Sequence, residues 1–162
     1  GNDFASYQGW YSKCLLFSQA DTNTIYVGGV YGFKSVDGGA SFNQITTYNP
    51  NNLADEPWPD LHDLVVNPSD PTKLYLLTDA GLYRSNNGGQ NWRSCLDGYR
   101  VAQFYLGSVS QNNANIAIAG AQDHGTQRYN GRSEWGWVLG GDGVNLGIMG
   151  FENGLGVRRE FI

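Results

Sequence analysis

The chain has 162 residues, 40% of them hydrophobic, 15% charged and 14% aromatic, with a formal net charge of −5. That is enough chain for a domain with a real core, and the aromatic content excludes a disordered segment. Lys and Arg are few and scattered, with no basic stripe for nucleic acid or anionic membrane, and no apolar run approaches the roughly 18 residues of a membrane span.

Abundant Gly, many aromatics and few charges suit short strands joined by tight turns. The low Lys content fits an extracellular protein. The chain starts at Gly1 without an initiator Met, and nothing at its start resembles a signal peptide. The N-terminus therefore reads as processed, trimmed or engineered.

The predicted elements repeat along the chain. The first unit, about residues 8–48, holds an apolar strand ending at Phe17, a polar turn through Asp21 and Asn23, and a second strand at Ile25–Gly29. It then reaches Ser35-Val36-Asp37-Gly38-Gly39-Ala40-Ser41-Phe42. The second unit, about 60–96, runs through Val66, the turn Asn67–Thr72, a strand at Leu74–Leu77 and a third strand at Gly81–Arg84. It reaches Ser85-Asn86-Asn87-Gly88-Gly89-Gln90-Asn91-Trp92, offset by 50 residues from the first box. The third unit, about 101–139, passes Val109, a turn rich in Asn and a strand at Ile116–Gly120. Its box is the degenerate Arg128-Tyr129-Asn130-Gly131-Arg132-Ser133-Glu134-Trp135. Asx side chains and Pro explain the turns, and each unit reads as a four-stranded antiparallel meander. Units of this length and strand number are the signature of a β-propeller blade, so the fold class is all-β with about three blades.

Residues 49–59 read as a long inter-blade loop carrying an isolated Trp58. Residues 144–162 hold no fourth box and read as a Gly-rich tail or an incomplete next blade. Cys14 and Cys95 fall in predicted strands and form no CxxC pair. They read as two buried thiols, with a disulfide as the alternative in an oxidising compartment.

The box is a folding device. Its Gly-Gly pair supplies positive φ, its Asp or Asn accepts hydrogen bonds from turn amides, and its aromatic packs under the hairpin. The structural set is Ser35, Asp37, Gly39 and Phe42, then Ser85, Asn87, Gly89 and Trp92, then Asn130, Gly131 and Trp135. Asn at two of the three acidic positions argues against acid chemistry there.

These residues resemble the Asp-box, or BNR-type, repeats of sialidases, sortilin-like domains, xyloglucan-cleaving glycosidases and photosystem assembly propellers. Gln8-Gly9-Trp10-Tyr11, Leu61-His62-Asp63-Leu64, Gln103-Phe104-Tyr105, Gly120-Ala121-Gln122-Asp123-His124-Gly125-Thr126 and Leu139-Gly140-Gly141-Asp142-Gly143 look like pieces of secreted Bacteroidetes-type propeller proteins. The resemblance implies an exported bacterial protein, secreted or on the cell surface. It departs after Gly143, where another blade would begin. Three blades do not close a ring. The resemblance therefore implies either the remaining blades of a longer chain or a homo-oligomer that completes the ring.

Propeller sites gather on loops at one end of the blades. The ligand-binding candidates are Trp58, His62, Asp63, Gln122 and His124. Asp60 and Asp123 are the carboxylates that a glycosidase pair would use. The same Asp groups with backbone carbonyls would suit Ca2+, whereas His would favour a transition metal. No metal ligand set and no cofactor is assigned. The plain alternative is that these groups satisfy turn amides.

A sialidase is disfavoured, since Arg84, Arg93, Arg100, Arg128, Arg132, Arg158 and Arg159 mostly flank boxes or sit in the tail. Trp92 and Trp135, at the box aromatic, are expected in the core, and Trp58 is the exposed aromatic candidate. Phosphate-loop and nucleophile-elbow contexts are missing from the sequence.

The expectation is a non-catalytic recognition or scaffolding module for a glycan or protein ligand. Two alternatives are a fragment of an Asp-box glycoside hydrolase and a protein-binding assembly factor.

Overall fold

The computed structural model describes residues 3–49, 51–52, 54–99, 101–144, 147–151 and 154–158. Arg100, Arg159 and parts of the Gly-rich tail lie outside the described residues. The chain divides into two compact units, Gly1–Tyr99 and Arg100–Ile162. Every regular element among the described residues is a strand.

The first unit holds two blades. Blade 1 is β1 (Cys14–Phe17), β2 (Ile25–Gly28), β3 (Gly32–Ser35) and β4 (Asn43–Gln44). Blade 2 is β5 (Leu61–Asn67), β6 (Asp70–Thr78), β7 (Gly81–Ser85) and β8 (Arg93–Ser94). The second unit holds blade 3, made of β9 (Phe104–Val109), β10 (Ala117–Ala121), β11 (Gly125–Tyr129) and β12 (Gly136–Leu139). It also holds the antiparallel pair β13 (Gly147–Phe151) and β14 (Gly154–Arg158). Each blade is a four-stranded sheet with its strands in sequence order, and every pairing is antiparallel. These are propeller-type blades, as the repeats predict. Within the tail expected over 144–162, Gly147–Phe151 and Gly154–Arg158 pair antiparallel as the two-stranded sheet β13–β14.

Alternation explains why these segments are strands. In β6, Leu74, Leu76 and Thr78 are buried while Tyr75 and Leu77 face out, the period of two that a pleated strand imposes. The buried face joins Leu61, Leu64, Tyr83 and Trp92 with Tyr26 of blade 1. Cys14, Leu16 and Ile45 of blade 1 pack against this cluster, so the core of the first unit lies between its two blades. Each fully buried Leu contributes roughly 1.5–3 kcal/mol to this packing. Polar ties reinforce it: the Trp92 indole Nε1 donates to the Ile45 carbonyl at 2.8 Å, and Lys34 Nζ donates to the Gly88 carbonyl at 3.2 Å.

The two full boxes are closed by serine as much as by Asp or Asn. Ser35 Oγ donates to Asp37 Oδ1 at 2.7 Å and accepts from the Gly39 amide at 2.9 Å. Asp37 Oδ1 in turn accepts from the Ser41 amide at 2.9 Å. Ser85, Asn87, Gly89 and Asn91 repeat the arrangement. The Ser41 hydroxyl first, then the Ser41 amide and Ser35, hold the Asp37 carboxyl down to about 2. Gly38 and Gly39 sit at φ +71° and +92°, as Gly88 and Gly89 do at +69° and +88°.

The third box departs from this. Arg128 stands where the serine hub stands in the others, and Gly131 alone keeps the positive φ, at +85°. Trp92 is 6% exposed, in the core as expected, but Trp135 is 44% exposed. The Trp135 ring lies against Tyr129, with centroids 5.5 Å apart, instead of under the hairpin.

Both cysteines are free thiols and both are half-buried. Cys14 packs on the inter-blade core, whereas Cys95 Sγ points to the Arg93 carbonyl at 3.9 Å. Burial, aided by the Asp63 charge, pushes the Cys14 thiol up to about 11. Thiolate is then only about one part in a thousand at pH 8. Alkylation of Cys14 by iodoacetamide is expected to lag far behind a model thiol at pH 8, and to accelerate through about pH 11. Peptide mass mapping of timed samples checks this. Equal rates at pH 8 would contradict the burial.

Candidate functional site

In blade 2 the polar candidates gather where β5 begins and where β6 turns into β7. Asp60 occupies the left-handed region at φ +63°, a conformation that a non-glycine residue keeps only when its surroundings enforce it. Here they do. The Asp60 amide donates to the Val30 carbonyl at 3.1 Å, and the Asp60 carbonyl accepts from the Asp79 amide at 3.2 Å. The next residue, Leu61, is fully buried and its amide donates to the Gly29 carbonyl at 2.9 Å.

This anchoring aims the Asp60 carboxyl at Ser12, whose fully buried hydroxyl donates to Asp60 Oδ1 at 3.1 Å. Burial holds the Asp60 carboxyl above the usual carboxylate range. The Ser12 bond opposes that shift, the nearby charge of Asp79 adds to it, and His62 opposes it.

His62 is the extra residue of a bulge. Leu61 pairs with Thr78 and Asp63 with Leu77, so His62 has no partner across the ladder. Its Nε2 donates to Asp79 Oδ1, because a carboxylate only accepts. The Tyr11 hydroxyl donates to the same oxygen at 2.9 Å, and the Tyr11 ring meets the His62 ring edge-on at 5.0 Å. Trp10 lies 5.6 Å from Tyr11 and is 80% exposed. Asp79, with a side chain 7% exposed, is the buried anchor of the group.

The other sequence candidates are placed differently. Asp63 turns back on its own strand and accepts from the Leu64 amide at 2.8 Å. Trp58, expected to be an exposed ring, is half-buried against the core and stacks edge-on with Tyr48 at 5.1 Å. The loop is seated on the core at this point, with Pro57 fully buried and Trp58 packed against the core cluster. The sequence reading missed Asp79, which unites Tyr11 and His62. Its signal was positional, since Thr78-Asp79-Ala80-Gly81 occupies the same turn of its blade as Ala121–Gly125.

Gln122, Asp123 and His124 form that turn in the second unit. The His124 amide donates to the Gln122 carbonyl at 2.7 Å across Asp123, which sits at φ +56°. The Asp123 amide donates to Asp142 Oδ1 at 3.0 Å. His124 Nδ1 donates to the Gln122 carbonyl at 2.9 Å, and the Tyr105 hydroxyl donates to Gln122 Oε1 at 2.9 Å. Asp60 and Asp123 therefore belong to separate units, each with its own partners.

Among the described residues no three His, Cys, Asp or Glu side chains converge in a way that could hold a metal ion. An apolar cavity of about 360 Å3 lies elsewhere on blade 2, lined by Leu77, Leu82, Cys95, Leu96 and Tyr99, and includes none of the candidates.

No protein-family model matches the chain, and no curated protein matches it. Solved structures resemble it. An ancestral GH74 enzyme shares 17% identity at a TM-score of 0.48, over 83% of this chain and 19% of that protein. The GH74 xyloglucanase of Xanthomonas campestris shares 15% identity at 0.44, over 82% and 24%. YCF48 of Cyanidioschyzon merolae shares 18% at 0.41, over 78% and 39%. The chain thus spans between about a fifth and two fifths of these proteins' lengths.

Proposed function

We propose that the chain is a recognition module, an exported propeller segment of the Asp-box type, that binds a neutral carbohydrate at the end of blade 2. One arrangement carries this reading: the exposed Trp10 ring beside Tyr11 and His62, both fixed by the buried Asp79. Sugar rings present C–H faces that stack on aromatic planes and hydroxyls that need oriented donors and acceptors. The site offers both, and the Asp79 anchor lowers the entropy cost of ordering the Tyr11 and His62 rings on binding. Asp79 already accepts from two side chains, which suits an orienting role better than a reacting one.

Calorimetric titration with cellohexaose, mannohexaose and laminarihexaose tests the proposal. Trp10→Ala is expected to weaken binding of the preferred glycan about tenfold, from a lost aromatic contact of order 1.5 kcal/mol. His62→Ala is expected to weaken it similarly. An affinity untouched by both substitutions would sink the reading.

The raised Asp60 carboxyl favours a second reading, in which it serves as the general acid of a glycoside hydrolase. That reading requires release of reducing ends from a β-glucan or xyloglucan, abolished by Asp60→Asn. Binding without release leaves the recognition reading standing alone.

A further inference from the structure

The bulge at His62 has a counterpart in blade 3. Along β9, Leu106 pairs with Gly120 and Phe104 with Ala121, so Tyr105 is skipped by the ladder just as His62 is in β5. In each blade the bulged residue is the second of the first strand. In each it bonds to the side chain just past the end of the second strand, His62 to Asp79 and Tyr105 to Gln122. The separation is 17 residues in both. Blade 1 has no such pair: Leu15 stays in register with Val27, and Gly29 lies under the Phe4 backbone, where an added Cβ would be 2.0 Å from the Phe4 carbonyl oxygen.

Bulges re-aim side chains, and they gather beside functional sites. Two bulges at one blade position, each tying a ring to the following hairpin, are more than local closure of a turn requires. In blade 3 the Tyr105 ring is exposed and the exposed Phe104 precedes it. His124 donates through Nδ1 to the Gln122 carbonyl, which leaves Nε2 as the ring nitrogen for a ligand hydroxyl.

We infer that the end of blade 3 is a second saccharide site, built on Tyr105 and Gln122 at the positions that His62 and Asp79 occupy in blade 2, with His124 of the same turn. The inference rests on the carbohydrate reading for its ligand class, but its residues lie wholly in the second unit. Gln122 puts an amide where blade 2 has the Asp79 carboxylate.

The test is amide chemical-shift mapping on the isotopically labelled full chain with cellohexaose at millimolar concentration. Shifts are expected at Tyr105, Gln122 and His124 as well as at His62 and Asp79. Gln122→Ala is expected to weaken the blade 3 response about three- to tenfold while leaving blade 2 unchanged. Tyr105→Phe, which keeps the ring and removes the tie, is expected to do the same in milder form. Dispersion of the variant spectra reports that blade 3 remains folded. Shifts confined to His62 and Asp79 overturn the second site and leave the proposed function intact. Shifts confined to blade 3 support the second site and remove the ligand from blade 2. Absence of shifts at both overturns both, as does a blade 3 response unmoved by Gln122→Ala for the second site alone.

Discussion

Replacing Ser85 by alanine is expected to destabilise the first unit by about 2–3 kcal/mol, far more than the loss of one surface hydroxyl would. Ser85 is 2% exposed and its Oγ makes three bonds. It donates to Asn87 Oδ1, and it accepts from the amides of Gly89 and Asn87 at 2.9 and 3.3 Å. The substitution leaves the Gly89 amide buried under Trp92 without an acceptor, the costly side of the hydrogen-bond asymmetry. Asn87→Asp supplies the contrast. Asp37 accepts equivalent bonds in blade 1, so this change is expected to fall within about 0.5 kcal/mol of neutral at pH 7. Hydrogen exchange at the amides of β6 and β7 reads both. Protection unchanged in Ser85→Ala would show that the serine is a bystander. An equal loss in the two variants would return the main role to position 87.

That contrast shows how the sequence could be read. The Gly-Gly pair and the Asx residue are conspicuous in the chain, and they led directly to hairpin turns and blades. The serine is less conspicuous, because nothing in a one-dimensional pattern reveals that its hydroxyl is buried. Trp135 was misplaced for a related reason. It aligns with Trp92, but the serine hub that pulls the hairpin over the ring is Arg128 in its blade, and the ring lies against Tyr129 instead.

The residues of the candidate site were legible in part. Asp60 and His62 lie where β5 of blade 2 begins, Gln122, Asp123 and His124 form the β10–β11 turn of blade 3, and Asp60 and Asp123 share a positive φ that their side-chain type tolerates. What the sequence concealed was register. The role of Asp79 depends on a bulge that skips His62, and a bulge is a property of two paired strands. Trp58 failed as an exposed ring because an isolated aromatic in a polar loop says nothing about a buried Pro beside it.

Gly120→Ala is expected to have the larger effect in the second unit, about 3 kcal/mol or more. A Cβ there would stand 1.7 Å from the Gly143 carbonyl oxygen and 2.5 Å from its carbonyl carbon. Both contacts are backbone, so no side-chain rotamer relieves them. Gly143 is equally confined, since its own Cβ would meet Gly120 Cα and the Gly125 carbonyl at 2.5 Å each. The segment that follows β12 must therefore move off β10, and the Gly143 amide then loses its bond to the Ala121 carbonyl. Because Ala121 ends β10 and Gln122 follows it, the displacement reaches the turn that ties Tyr105. Exchange protection is expected to fall through β10 and β11 while β6 and β7 keep theirs, which distinguishes damage to one unit from general unfolding. Gly98→Ala is the control: a Cβ there meets nothing within 4 Å, and only its φ of +81° weighs against it, about 1 kcal/mol. If Gly120→Ala proves no worse than this control, the close approach of the two backbones is wrong.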